Sequence, residues 1–448
     1  MRISVIGTGY LGATHAACMA DLGHEVIGLD VDVAKVESLN AGRVPFHEPG
    51  LPEVLQRALA SGRLRFTTSF QEAAAFAEVH FLCVGTPQLD DSGAADLAQV
   101  NGAVAGLAPY LTEPTLVVGK STVPVGTAQR LADAFTAAAP AGAGVDVAWN
   151  PEFLREGFAV ADTLRPDRLV VGVTTTSAEQ KLRQVYAQML DAGVPIVVTD
   201  LPTAELVKAA ANAFLATKIS FINAMAELCE ATGADVATLA QAIGHDERIG
   251  RRFLQAGLGF GGGCLPKDLR AFRARATELG AGSALDFLDD VDAINQRCRT
   301  RTVAAALTLV GGSIDGLRVA VLGAAFKPDS DDVRDSPALD VAAELLEHGA
   351  NVVIHDPAAN ANASVRLPKA GFVDSTDEAL AGADLVLLLT EWKQFVALDP
   401  ATVADQVNAL RIIDARGVLD RSAWAQAGWT IHTLGRGTIG PTASPRHA

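Results

Sequence analysis

The stretch "GFGGGCLPKD" (259–268) sets one sulfur, Cys264, between a run of glycines and the charges of Lys267 and Asp268. A free cysteine is often just a small buried group. The four glycines at 259 and 261–263 favour the other reading, because they offer backbone N–H groups and leave room beside the sulfur. The neighbouring charges could perturb a thiol or a water. A second stretch, "VIGTGYLGATHA", carries Gly7, Gly9 and Gly12 after a strand-like run and before a helix-like one. At that spacing Gly7 permits a tight turn, Gly9 lets a pyrophosphate approach the backbone, and Gly12 allows close helix–strand packing. The alternative is a glycine-rich turn with no ligand. Asp30 ends the next strand, "EVIGLD", where a carboxylate accepts ribose hydroxyls and disfavours a 2′-phosphate, which points to NAD rather than NADP.

The two sites together define a reaction class. Hydride transfer from an alcohol to NAD leaves an aldehyde, and a second transfer needs an adduct that still carries a hydride. A thiolate supplies it: addition gives a thiohemiacetal, hydride loss gives a thioester, and water releases an acid. A dinucleotide turn plus a nucleophilic cysteine therefore suggests four-electron oxidation. Thr86 in "CVGTP" and Thr122 in "KSTVP" follow later strands, on the edge where such sheets bind ligands.

Elements must hold these residues. Short β-branched runs ("ISVIG", "EVIGLD", "VHFLCVG", "TLVVGKS", "VDVAWN", "DRLVVGV") alternate with alanine-rich helical stretches over the first 200 residues, the pattern of buried parallel strands with helices on both faces. From 202 to 233 a helical pattern runs unbroken, and its alanine-rich surface suits a spine between domains or a dimer contact. A second helical region covers about 268–310. Strand–helix alternation then returns with "LRVAVLG", "ANVVIHD", "ADLVLLLT" and "LRIIDAR". The expected architecture is α/β: two Rossmann-like doubly wound domains joined by a central helical domain with a long spine helix. The expected spans are 1–200, 201–310 and 311–436, followed by a loose tail over 437–448.

Composition narrows the field. A chain of 448 residues with 49% apolar content can bury more than one core. A net charge of −16 argues against a general nucleic-acid binder, so an anionic ligand would need local cations. The five cysteines form no CxxC pair, which fits a reducing cytoplasm. The nine histidines contain no pair at i,i+3 or i,i+4, so no metal site is expected. The amino terminus reads as a strand rather than a signal peptide, and no run suits a membrane span.

The segments "IGTGYLG", "VGTPQLDDSGAADL", "STVPVGT", "NPEFLREG", "NAFLATKISFIN", "RIG", "GFGGGCLPKD", "GAAFKPDSDDVRDSP" and "DARGVLD" occur in one order along the chain. In this the chain resembles the UDP-glucose/GDP-mannose dehydrogenase family of nucleotide-sugar dehydrogenases. The resemblance implies NAD as cofactor, UDP-glucose as substrate with GDP-mannose or another nucleotide sugar as the alternative, and a homodimer or higher homo-oligomer formed through the helical spine. It implies Cys264 as the nucleophile, Lys208 and Asn212 as stabilisers of a developing oxyanion, and Asp268 as their partner in proton handling. Glu152 would bind a water near the reacting carbon, with Thr122 helping to hold it.

Toward the cofactor, the resemblance brings Tyr10, Leu11, Lys35, Thr86, Glu156 and Arg334 to join the fingerprint glycines and Asp30. Toward the substrate it brings Phe153, Leu154, Arg248, Phe260, Gly261, Lys327 and Arg416 alongside Glu152, Lys208 and Asn212. Read without it, Glu205, Lys208, Asn212, Asn223 and Glu227 are a polar stripe facing water on an amphipathic helix. The chain departs from many relatives at Ala209, Ala224 and Gly263, where an aromatic, an acid and a serine are common.

Overall fold

The computed structural model describes residues 1–89 and 92–441; Asp90 and Asp91 of the "DDSG" segment and residues 442–448 of the expected tail lie outside the described residues. The chain divides into two compact units, Met1–Ala211 with Lys267–Gly282, and Asn212–Pro266 with Ser283–Ala448.

The first unit is built on eight strands: β1 (Arg2–Ile6), β2 (Glu25–Leu29), β3 (Leu64–Thr67), β4 (Val79–Leu82), β5 (Thr115–Gly119), β6 (Val145–Trp149), β7 (Leu169–Gly172) and β8 (Ile196–Thr199). They lie in the order β3-β2-β1-β4-β5-β6-β7-β8, parallel except where β6 meets β7. Successive residues enter different cores. Val5, Phe81 and Val118 pack on one side, and Ile6, Leu82 and Val117 on the other. Buried residues pointing to both sides of the central strands β1, β4 and β5 are what a sheet covered on both faces requires.

The second unit repeats the plan with β9 (Arg318–Leu322), β10 (Asn351–His355), β11 (Gly371–Phe372), β12 (Leu385–Leu388), β13 (Arg411–Asp414), β14 (Thr430–Thr433) and β15 (Gly437–Ile439), in the order β11-β10-β9-β12-β13-β14-β15. The strand β15 pairs antiparallel with β14, so the residues expected to open a loose tail at 437 instead close the sheet. The expected helical spine is a single helix, Leu201–Thr232. The region expected as helical to 310 is two helices, Leu265–Glu278 and Phe287–Val310, with a turn at Gly282–Leu285 between them.

The units share one wiring. In each, the first strand ends in a glycine with positive φ, Gly7 at 86° and Gly323 at 103°. A Cβ on Gly7 would lie 2.9 Å from the Val84 backbone, and one on Gly323 would lie 2.7 Å from Thr390 N. In each, an aspartate beyond the second strand accepts the next N–H along: Thr8 N to Asp30 at 2.9 Å, and Ala324 N to Asp356 at 2.8 Å. This is the strand-order switch point of a doubly wound sheet, where open α/β folds bind ligands.

Candidate active site

The cofactor turn joins β1 to helix α1 (Tyr10–Asp21). Gly12 is pressed onto Gly7, since a Cβ there would lie 1.8 Å from the Gly7 carbonyl oxygen. Gly9 faces open space, with nothing within 4 Å of where its Cβ would be. The turn is thus closed where helix meets strand and open where a pyrophosphate would meet N–H groups at the helix start. Asp30 Oδ2 takes the Thr8 N–H, the Thr8 hydroxyl and the Lys35 ammonium, the last at 2.9 Å. Oδ1 receives the Asp32 N–H and keeps capacity for a ribose hydroxyl. Burial alone would raise the Asp30 pKa, but Lys35 and the N–H donors outweigh it and hold the carboxyl below the usual range. These residues fit NAD. Leu11 packs against the core under α1, and the Tyr10 hydroxyl donates to Glu48.

On the same unit, the loop after β6 carries the acids of "NPEFLREG". Glu152 Oε1 lies 3.1 Å from Lys208 Nζ, and Oε2 accepts the Leu154 N–H at 2.6 Å. The Phe153 ring lies against Arg168, 3.8 Å from centroid to guanidinium carbon, and the Lys208 ammonium is 5.6 Å from the same ring. Lys208 and Asn212 are buried one turn apart on the spine helix. Glu205 and Asn223 are buried too, so the expected water-facing stripe is wrong for these four residues. The Thr86 hydroxyl donates to the Thr122 carbonyl at 2.8 Å. Both threonines line a cleft with Gln88, Ala209, Lys267 and Asp268. Asp268 is buried and paired with Lys267 at 2.5 Å. Glu156 is half-buried, close enough for its charge to act on the Tyr10 phenol.

On the second unit, Cys264 is exposed, directly after three buried glycines and directly before the helix Leu265–Glu278. The glycines serve close packing rather than open space. A Cβ on Gly261 would lie 2.2 Å from the Asp335 carbonyl oxygen, and one on Gly263 would lie 2.2 Å from the Arg334 guanidinium carbon. The expectation that they leave room beside the sulfur is therefore corrected: the glycines clamp the loop, and the Cys264 side chain is exposed at its end. Phe260 is fixed by Asn295, which exchanges hydrogen bonds with its N–H and carbonyl at 2.8 and 3.0 Å. A helix start favours negative charge on a sulfur placed there.

Of the expected cations, Arg334 is gripped by Asp332 and lies over Gly263. Lys327 lies 5.2 Å from the Phe326 ring centroid, and Arg248 is exposed and paired with Asp246. Arg416 donates to the carbonyls of Leu389 and Phe326 and pairs with Glu391 at 3.3 Å, so much of its donor capacity braces the loops around it. Asp356 was not singled out from the sequence. Its signal was available, an aspartate closing a second strand as Asp30 does.

Three family models tile the chain. The NAD binding domain of the UDP-glucose/GDP-mannose dehydrogenase family matches residues 1–190, the central domain 202–297 and the UDP binding domain 320–421. The chain is 41% identical to the UDP-glucose 6-dehydrogenase of Pseudomonas aeruginosa over 449 aligned residues, 98% of each chain. Among solved structures it is similar to a UDP-glucose dehydrogenase from Pyrobaculum islandicum, with TM-score 0.87 and 41% identity over 93% of this chain and 94% of that one. A GDP-mannose dehydrogenase from Pseudomonas aeruginosa matches with TM-score 0.54 and 30% identity over 94% and 97% of the two chains. With the fingerprint turn, Asp30 and these matches in agreement, the chain is an NAD-dependent dehydrogenase that belongs to the UDP-glucose/GDP-mannose dehydrogenase family.

Proposed function

We propose that this protein oxidises C6 of UDP-glucose to the carboxylate of UDP-glucuronate, through a covalent adduct on Cys264. Two observations carry the reading, each within its own unit: a single exposed thiol, set on a clamped loop at a helix start, and a buried Lys208–Glu152 ion pair. Bound NAD supplies the hydride acceptor, one molecule for each two-electron step. The C6 hydroxyl loses its proton toward Asp268 or a water held by Glu152 and Thr122 as its carbon loses hydride, which leaves an aldehyde. Cys264 Sγ adds to that carbon, and Lys208 with Asn212 stabilises the oxyanion, a role in which one donor contributes about 3 kcal/mol. Loss of the second hydride gives a thioester. Water then breaks the C–S bond, releasing the carboxylate and returning the thiol. One alcohol and one water become one carboxylate, with two NAD reduced.

UDP-glucose is favoured over GDP-mannose by the UDP binding domain match and by the closer likeness to UDP-glucose dehydrogenases. Lys327 and Arg416 are assigned to the nucleotide, and Arg334 to the cofactor. We further assign the protein to the reducing cytoplasm, in keeping with five cysteines that form no CxxC pair. No helix among the described residues is long and apolar enough to cross a membrane. A homodimer through the spine helix is supported by the exposed Phe214, Phe221 and Leu228, and Arg248 is the arginine offered across that interface.

The test is NADH formed per sugar consumed, with UDP-glucose and GDP-mannose side by side. Two NADH from UDP-glucose alone is the expected result. One NADH per sugar would remove the covalent role of Cys264, and turnover of GDP-mannose alone would reassign the substrate.

A further inference from the structure

The loop that carries Glu152 and Glu156 has no regular secondary structure between β6 and the helix Ala159–Leu164, and something must fix its far end. The anchor is Glu48, which sits in the irregular segment "GRVPFHEPG" after the helix Val33–Asn40. Its carboxylate is only 3% exposed. Oε2 accepts the Gly157 N–H at 2.7 Å and the Tyr10 hydroxyl; Oε1 accepts the Ala159 N–H at 2.8 Å. The Gly157 N–H also lies 3.1 Å from the Tyr10 oxygen, and the Tyr10 ring packs on Phe46, 5.0 Å between centroids. Among the described residues no lysine or arginine pairs with Glu48, so these three donors alone compensate a buried carboxylate. Burying such a group is costly unless its donors are all in place.

We infer that Glu48 is a positioning residue for the reaction: it ties the loop bearing Glu152 and Glu156 to Tyr10, the first residue of the helix that opens the cofactor turn. The donors come from two segments, and one carboxylate serves both. Movement of Tyr10 when the dinucleotide settles on the turn is therefore transmitted to the Gly157 N–H, and order in the loop depends on the cofactor turn. Burial and the Glu48 carboxylate both push the Tyr10 phenol pKa well up, so the phenol keeps the proton that it donates to Glu48. A glutamine at 48 has one acceptor oxygen and turns an N–H₂ toward one of the three donors, so it breaks the tie without emptying the space.

This inference rests on Glu152 serving the proposed oxidation, and the test separates the two. Hydrogen exchange over 150–160 is followed in wild type, Glu48→Gln and Tyr10→Phe, with and without NAD; no sugar turnover is needed. In wild type NAD should slow exchange across 155–159. In Glu48→Gln exchange should be faster by about tenfold and insensitive to NAD, and kcat should fall about tenfold with a smaller change in the KM for sugar. Tyr10→Phe, which leaves Glu48 its two N–H donors and keeps the fold if Glu48→Gln does not, should keep the wild-type exchange rate without NAD and lose the response at saturating NAD. If both variants keep the wild-type exchange pattern and its NAD response, or if only thermal stability drops, Glu48 is merely structural and the inference is overturned. A wild-type protein that shows the exchange coupling but oxidises no nucleotide sugar would overturn the proposed reaction and not the tie.

Discussion

Cys264 differs from the other four cysteines in its surroundings, not its chemistry. Burial pushes Cys18 and Cys83 up to about 12 and Cys298 up to about 11, and also raises Cys229. Thiols held so far above neutral pH carry almost no thiolate and react slowly. Only Cys264 is both exposed and set at a helix start. Brief alkylation of the folded protein at neutral pH should therefore modify Cys264 alone, read by peptide mass spectrometry, and should abolish NADH formation in proportion. Labelling of Cys83 at a comparable rate would contradict the burial that sets these thiols apart. The sequence showed the glycine run beside Cys264 but not its purpose. Whether a glycine makes space or permits contact depends on residues such as Asp335 and Arg334, some seventy positions away.

The spine helix has its amphipathic pattern inside out, and this could not be read from periodicity. Glu205, Lys208, Asn212 and Asn223 are buried, whereas Phe214, Phe221 and Leu228 are 66%, 49% and 57% exposed. A hydropathy pattern assigns faces by polarity alone. It cannot know that Glu205 caps the helix Thr127–Ala138 through the Gly126 and Ala128 N–H groups at 2.7 and 2.6 Å, or that Lys208 has Glu152 to pair with. The exposed residues recur every seven positions and so drift only about 20° per step around the helix, forming one continuous apolar stripe. An apolar stripe with polar groups taken inward is the signature of a helix that packs against another chain. Phe221→Glu should shift the protein to a smaller species by sedimentation at micromolar concentration, with the circular dichroism of the fold retained. An unchanged sedimentation coefficient would overturn the proposed spine-helix interface. The strands missed in the sequence have an equally physical cause. In β3 apolar and exposed residues alternate and β14 reads "TIHT", so neither forms the continuous run that marks a doubly covered strand, while β8, "IVVT", is a run of only four residues directly after Pro195.

At the scale of the whole molecule, the chain does not divide where its composition changes. Lys267–Gly282 belongs to the first unit although the preceding fifty-five residues belong to the second. Reading in order yields contiguous blocks, and nothing in "LPKDLRAFRARATE" announces the return. The two sheets were legible because each is written as short β-branched runs alternating with helical stretches. What the repeats do not reveal is how the first unit responds to acid. His15 and His80 are wholly buried in it, and burial lowers both, His80 to about 3. The unfolded chain takes up a proton on each near pH 6.5, while the folded chain refuses it until far lower pH. Their contribution to stability is thus complete above about pH 6.5 and is lost as pH falls toward 3, with a limiting slope of about 1.4 kcal/mol per pH unit for each histidine. Glu205 in the same unit acts in the opposite sense, as do Asp340 and Asp414 in the second unit, because burial raises their carboxyl pKa values and the folded state gains protons on them as pH falls. Relief of the net charge of −16 adds to that sense. The histidine contribution begins to fall near pH 6.5, and the part of the denaturation midpoint that these imidazoles supply should begin to drop there. His80→Asn keeps a partner for the Ser4 hydroxyl, now bonded to His80 Nδ1 at 2.7 Å, and cannot titrate. It should flatten the limb between pH 6 and 4 by about one proton's worth of slope. If the variant and wild-type limbs run parallel over that range, the acid sensitivity arises from groups other than this buried imidazole.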